Sequence, residues 1–276
     1  MKKLEPNLED IEIELLIEGV FRYSGHDFRN YAPSYLKRRI QTFLKSEGLA
    51  NISALQERVL HDRNCLERFL LSLTINVTSM FRDPSFYVAF RNEVVPLLKT
   101  YPFLRIWHAG CSTGEEVYSM AILLIEEEIY HRCRIYATDF NEQVLQKAKT
   151  GIFSLKLMQN YTRLYLKAGG KKSFSDYYTA AYEHAIFRNY VRENIVFSQH
   201  NLATDSSFNE FNVILCRNVL IYFNQTLQNQ VHKLFYHSLC RFGVLGLGRQ
   251  ESLIFSPYQD RYQEVVKGEK LYRRVE

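Results

Sequence analysis

Several signatures that would declare a chemistry outright are missing from this sequence. Its five cysteines, Cys65, Cys111, Cys133, Cys216 and Cys240, include no C-x-x-C pair. That excludes a zinc knuckle and a disulfide scaffold, and it points to a reducing, cytoplasmic setting. None of the eight histidines stands at a metal or triad spacing, so no metal is expected. The longest apolar runs, such as Met120 to Ile125, are far too short to span a bilayer. The opening M-K-K-L-E-P-N-L-E-D turns acidic after two lysines and has no apolar h-region, so neither a signal peptide nor membrane insertion is expected. A dominant charge is lacking too. Thirty-five Lys and Arg against 30 Asp and Glu leave a net +5, which permits an acidic partner but gives no reason to expect nucleic acid. Internal repeats and low-complexity tracts are absent, and a single Trp stands against 19 Tyr and 19 Phe.

What is present is an ordinary globular composition, 46% hydrophobic and 24% charged over 276 residues, enough for one large domain or two smaller ones. Up to residue 92 the pattern is helical. Apolar residues recur at helical spacing from Leu8 to Phe21, and Gly25 breaks that run. Pro33-Ser34 opens a second helix whose buried face would be Tyr35, Leu36, Ile40, Phe43 and Leu44. Lys37, Arg38 and Arg39 fall mostly on other faces, either as a solvated basic surface or as a dock for an acidic partner. Ser53 to Gln56 matches a capping box, and Asp62 can cap the next helix. In L-T-I-N-V-T-S-M-F-R-D-P, the polar Asn76, Thr78 and Arg82 interrupt an apolar run. They serve as capping chemistry, with Asp83 as N-cap, or reach into a site where Arg82 offers a planar fork to a carboxylate. Pro96 should kink or stop the helix begun near Pro84.

From Phe103 onward strand and helix signals alternate, the pattern of a mostly parallel sheet covered by helices. The strand at 105–109 runs into Gly110-Cys-Ser-Thr-Gly114-Glu-Glu and then a helix. This is either a plain βα turn or a ligand site in which glycine admits a close approach to the backbone and helix N–H groups are free to donate. Glu115 and Glu116 at that helix start argue against a phosphate and for a ligand carrying positive charge. The second strand ends at Asp139, which suits ribose hydroxyls or caps the helix at 141–149, and Gly151 closes that helix. Together the two features suggest an adenosine-containing ligand. A third core strand, Phe211 to Leu215, ends at Cys216-Arg217-Asn218, with Tyr222 and Asn224 beyond. Residues 225–241 read as a helix closed by Gly243, and residues 262–275 as a hairpin turning at Lys267-Gly268-Glu269. At about 167–197 the rhythm fails, and short strand signals at Ala185-Ile186-Phe187 and Tyr190-Val191 suggest a small antiparallel insertion.

The blocks G-H-D-F-R-N-Y-A-P-S-Y-L-K-R-R-I, N-V-T-S-M-F-R-D-P, A-G-C-S-T-G-E-E-V-Y-S, Y-A-T-D-F-N, V-I-L-C-R-N-V-L-I-Y-F and L-G-R-Q-E-S-L occur in that order. In them the chain resembles the CheR family, S-adenosylmethionine-dependent methyltransferases that esterify glutamates of bacterial chemoreceptors. The resemblance implies an α/β protein with a small N-terminal helical domain over 1–92. A Rossmann-like class I methyltransferase domain over 93–276 would follow, carrying the β-insertion. It implies cofactor contacts from Asn76, Thr78, Arg82, Gly110, Glu116, Asp139, Asn201, Leu202, Cys216 and Arg217, with Arg82 and Tyr222 beside the reacting groups. It further implies docking of the receptor's cytoplasmic helical region on Lys37, Arg38 and Arg39, by a stand-alone monomeric enzyme that leaves S-adenosylhomocysteine. Gln41, Thr42 and Phe43 stand where further arginines are usual, which lowers the charge offered to a receptor. Met80 and Gln250 also depart from the usual phenylalanine and serine. The alternatives are a methyltransferase of the same fold acting on RNA or a small molecule, and a non-catalytic S-adenosylmethionine-binding module.

Overall fold

The computed structural model describes residues 7–74 and 78–276, which form two compact units. The first holds residues 7–74 with Ile221–Gln228, and the second holds residues 78–220 with Asn229–Glu276.

The first unit is built from α1 (Leu8–Ser24), α2 (Pro33–Ser46), α3 (Ile52–His61) and α4 (Arg63–Ser72). Their ends follow ordinary capping chemistry. Asn7 accepts from the Glu9 N–H, Pro33 opens α2, and Asp62 accepts from the Asn64 and Cys65 N–H groups. The expected Ser53 capping box does not form. Asn51 already takes the Ala54 N–H at 2.8 Å, so the Ser53 hydroxyl donates instead to Glu12 on α1 at 2.5 Å. Leu16, Val20, Ile40, Leu55, Val59 and Phe69 fill the centre with no exposed surface.

The second unit begins earlier in the chain than expected. The boundary lies near residue 75 rather than 92, because Met80, Phe81, Phe86, Tyr87 and Phe90 are part of its buried core. Leading into this unit, α5 (Pro84–Ala89) and α6 (Val95–Leu98) are joined by a π-turn over Phe90–Val94. Pro96 cannot donate to the preceding turn, and the wider turn absorbs that loss without a break.

Seven strands make the main sheet, in the order β6-β2-β1-β7-β8-β10-β9. They are β1 (Leu104–Ala109), β2 (Cys133–Asp139), β6 (Ile195–Gln199), β7 (Phe211–Cys216), β8 (Leu239–Leu247), β9 (Tyr262–Val266) and β10 (Leu271–Arg274). β6, β2, β1, β7 and β8 pair in parallel, and the β9–β10 hairpin adds antiparallel strands at one edge. The connecting helices are α7 (Glu115–Glu126), α8 (Glu142–Thr150), α9 (Leu155–Lys167), α10 (Asn189–Arg192) and α11 (Gln225–Ser238). The winding reverses between β1 and β7, so the carboxyl ends of β1, β2 and β7 open onto the switch point where ligands of such sheets bind.

The insertion is a three-stranded antiparallel sheet, β3 (Ile152–Ser154), β5 (His184–Phe187) and β4 (Tyr178–Ala181). It starts at Ile152, earlier than expected. Tyr190-Val191 forms the helical turn α10 rather than a strand. Nor does Gly243 close α11, which ends at Ser238 and runs straight into β8. A side chain at Gly243 would meet Leu239 Cγ at 2.8 Å and the Asn212 carbonyl at 3.0 Å, so glycine serves the irregular register where β8 joins β7.

Candidate active site

The glycine turn leaves β1 at Gly110 and enters α7 at Gly114, with φ of 81° and 93°. A Cβ on Gly110 would lie 2.6 Å from Val219, so this position has room only for glycine. The turn spends its own donors. Gly110 and Cys111 N–H groups donate to the Thr138 carbonyl, the Ser112 N–H donates to Asp139 Oδ2 at 2.9 Å, and the Gly114 N–H donates to the Cys111 carbonyl. The expected set of free backbone donors is therefore largely committed, and the turn is not a phosphate cradle.

Asp139 sits at the tip of β2. Its Oδ1 accepts from the Asn141 N–H at 3.0 Å while Asn141 itself caps α8, so Asp139 braces two turns at once. Burial pushes its carboxyl up, against backbone donors from Asn141, Ser112 and Phe140. Each carboxylate oxygen has further acceptor capacity, as ribose hydroxyls require. The Asp139 carbonyl accepts from the His200 N–H, which holds the turn at 201–205 beside it. There the Asn201 side chain accepts from the Ala203 N–H, and Leu202 is half-buried.

The charged centre is Arg217, just beyond β7, whose side chain is 1% exposed. One nitrogen donates to Glu116 Oε2 at 2.9 Å, and another donates to Asp83 Oδ2 at 2.9 Å and to the Arg82 carbonyl at 3.2 Å. Its guanidinium lies 4.1 Å from the centre of the Phe86 ring. Glu116 Oε1 also bonds His108 Nδ1 at 3.1 Å. Burial alone would raise the Glu116 carboxyl, but Arg217 and His108 override it and hold it below its ordinary value. Arg217 thus ties together the start of α7, the end of β7 and the 82–83 segment. Asp83 was read as an N-cap. It stands at the N-cap position of α5, but its side chain makes no cap hydrogen bond and its backbone is left-handed, with φ of 57°, which leaves the carboxylate for Arg217.

Glu116, Asp139, Arg82 and Arg217 therefore all fall in the second unit, as do Thr78, which is half-buried, and the turn at Asn201. Arg82 belongs to this unit itself rather than reaching in from the helical domain. Cys216 is fully buried, and burial pushes its thiol well above the ordinary range, so it is not a nucleophile. Asn76 lies outside the described residues. Tyr222 belongs to the helical unit, where its ring lies 4.8 Å from that of Tyr35. Of the basic trio, Lys37 is paired with Glu9 at 2.6 Å, Arg39 binds backbone carbonyls of α4, and Arg38 is exposed. Among the described residues no cluster of His, Cys, Asp or Glu could hold a metal ion, and no helix is long and apolar enough to cross a membrane.

Pattern reading missed Glu251. Its carboxylate accepts from four backbone N–H groups, those of Asn218, Val219, Leu220 and Gly248, at 2.6–2.9 Å. It staples the loop that follows Arg217. Gly248 leaves room for this, since a Cβ there would lie 2.7 Å from both the Asn218 nitrogen and the Glu251 carboxylate. The only sequence signal was an acid within the block L-G-R-Q-E-S-L.

The donor set fits S-adenosylmethionine. Asp83 and Glu116 meet Arg217, Asp139 braces the glycine turn, and Glu115 accepts from the Thr113 hydroxyl of that turn at 2.6 Å, a set of acids that suits a positively charged, phosphate-free ligand. The Ser112 hydroxyl and Arg217 Nε are also buried without a partner in the protein.

Comparison with known proteins agrees. Residues 76–270 match the model of the CheR methyltransferase S-adenosylmethionine-binding domain, and residues 11–74 match the CheR methyltransferase all-alpha domain. Cher3 of Pseudomonas putida is 52% identical over 265 residues, covering 96% of this chain and 97% of that protein. The chemotaxis protein methyltransferase of Listeria monocytogenes is 31% identical, covering 85% of this chain and 87% of that protein. The Escherichia coli chemotaxis protein methyltransferase is 26% identical, covering 96% and 91%. The cofactor is S-adenosylmethionine, and the chain belongs to the CheR family of methyltransferases.

Proposed function

We propose that this chain transfers the methyl group of S-adenosylmethionine to glutamate side chains of bacterial chemoreceptors, leaving methyl esters and S-adenosylhomocysteine. The observation that carries this reading is the Arg217 cluster. Its acids are committed to binding and bracing, and none is set up as a general base. Glu116 is shared between Arg217 and His108, Asp83 is held by Arg217, and Asp139 braces two turns. A glutamate acceptor needs no base, because its carboxylate is already ionised at neutral pH. Names of relatives as chemotaxis protein methyltransferases point the same way.

Bound S-adenosylmethionine supplies an activated methyl group on a positively charged sulfur. The residues of the chain then bind and orient. Asp139 takes the ribose hydroxyls, Arg82 the cofactor carboxylate, and Glu116 and Arg217 hold the turn and the end of β7 in register. Thr78, Asn201, Leu202 and Cys216 complete the cofactor contacts, and Tyr222 orients the acceptor. Charge is lost in the transfer, as a carboxylate and a sulfonium give neutral products, so clamping the carboxylate with cations would favour the ground state. Rate enhancement comes instead from alignment of oxygen, carbon and sulfur, which contributes about 7–11 kcal/mol in favourable cases.

The test uses cofactor labelled in the methyl group and the cytoplasmic fragment of a chemoreceptor. Transferred label should be released as methanol by mild base and should map to glutamates by mass spectrometry. Label that resists base, or that accumulates on RNA in a competing incubation, would sink the ester reading.

A further inference from the structure

Two stretches of the second unit that carry its cofactor residues lead into the helical unit. Thr78 to Arg82 follow the end of α4, and Cys216 to Leu220 lead into Ile221–Gln228. Within the helical unit a single helix holds both attachments. The Tyr35 hydroxyl of α2 donates to the Leu73 carbonyl at 2.5 Å. One turn further on, Arg39 donates through Nε to the Ser72 carbonyl at 2.6 Å and through a terminal nitrogen to the Thr74 carbonyl at 3.1 Å. Three consecutive carbonyls at the C-terminus of α4 are thereby fixed by α2.

The same Tyr35 packs its ring against Tyr222 at 4.8 Å. The neighbouring contacts bind the second stretch to the same end of α2. The Ala32 N–H donates to the Tyr222 carbonyl, the Asn224 N–H donates to the Asn30 carbonyl, and Tyr31 meets Phe223 edge to face at 5.0 Å. Tyr35 is 6% exposed, and burial pushes its hydroxyl up to about 12, so it remains a donor across the physiological range.

We propose that Tyr35, assisted by Arg39, is a positioning residue for the cofactor site, fixing through the Leu73 carbonyl and the Tyr222 ring the two chain segments that carry Thr78–Arg82 and Cys216–Arg217. The proposal rests on the cofactor roles given to those residues above. It reassigns Arg39 from docking to positioning and leaves Arg38 as the exposed cation of the basic helix.

Tyr35→Phe removes the hydroxyl and keeps the ring against Tyr222. Calorimetric titration of the full chain with S-adenosylhomocysteine should show a Kd raised about fivefold, the scale of one lost hydrogen bond, and Arg39→Gln should act in the same direction. Amide exchange at residues 78–82 and 216–220 should quicken in both variants. Arg82→Ala, titrated in parallel, reports on the site itself. Weakened binding in Arg82→Ala beside unchanged binding in Tyr35→Phe overturns the positioning role and leaves the site reading standing. Unchanged binding in both overturns the site reading and the positioning role with it. A lowered unfolding midpoint in Tyr35→Phe with unchanged Kd marks a purely structural tyrosine and also overturns the proposal.

Discussion

Glu116 shows how one side chain can be read correctly for charge and incompletely for partners. Its place after the glycine turn marked it as an acid near a cationic ligand. Its bonds to His108, in the strand before it, and to Arg217, 101 residues later, could not be read from local spacing. Asp83 stands at the N-cap position expected before Pro84, but the pairing of its carboxylate with Arg217, 134 residues later, was hidden in the same way. The pairing has a pH signature. The folded-state carboxyl of Glu116 lies below the ordinary 4.5, so its contribution to stability is fully present above that pH and is lost as pH falls through the lowered value. Asp139 and Glu115 act with the opposite sign. Burial raises both, so their cost is present at neutral pH and is relieved by acid. Glu116→Gln should therefore be destabilised most at neutral pH, and its deficit relative to the wild type should shrink as pH falls below 4.5. Urea unfolding of both proteins from neutrality to about pH 3 measures this, and a deficit independent of pH would contradict it.

At the scale of elements, strands and helices followed from periodicity wherever the period ran long enough. β1, β2, β7 and the β9–β10 hairpin stand where alternation and turn residues placed them. The failures came at joints. No breaker separates α11 from β8, since Gly243 lies inside the strand, and Asn51 rather than Ser53 starts α3. The loop after β7 is another joint, shaped by the left-handed Asn218 at φ 62° and by the Glu251 staple. Removing that carboxylate strands four buried or half-buried N–H donors. Glu251→Ala should cost about 3 kcal/mol or more, because each unsatisfied donor carries a desolvation penalty of about 1–3 kcal/mol. Chemical denaturation gives the loss. Faster amide exchange at 218–220 localises it, and a loss below about 1 kcal/mol would show that water replaces the staple without penalty.

For the molecule as a whole, the division into a helical unit and an α/β unit was legible, and its position was not. The aromatic run from Phe81 to Phe90 looks helical in sequence but joins the core of the sheet unit. The insertion is anchored to that unit by a buried charge network. Glu126 on α7 is paired with Arg91 and accepts from the hydroxyls of Tyr165 and Tyr177 and from the Lys171 N–H at 2.9 Å. Arg91 also holds Glu127 at 2.8 Å and donates to the Ala168 carbonyl at 3.2 Å. These contacts tie α7, α9 and the entry to β4 into one assembly. Glu126→Leu would leave Arg91 partly uncompensated and the Tyr177 hydroxyl and Lys171 N–H without their acceptor, while the Tyr165 hydroxyl keeps the Lys172 carbonyl at 3.0 Å, so the loss should reach about 3–5 kcal/mol. Differential scanning calorimetry should show it as a lower midpoint, and proteolysis should begin at the tip of the insertion, where Tyr182 is 99% exposed. A variant with an unchanged midpoint would refute the anchoring role.

Phe81, Asp83, Ser112 and Asn218 all hold positive φ although none is glycine, and all lie on segments joined by Arg217, Asp139 or Glu251. Each such residue costs stability that the surroundings must offset. A library enriched only for heat tolerance would accordingly drift toward glycine at these places, or toward asparagine at Phe81, Asp83 and Ser112, gaining hardiness while loosening the grip on cofactor. Anyone seeking a sturdier catalyst from this chain should leave these four positions fixed and vary the solvent-facing helices instead.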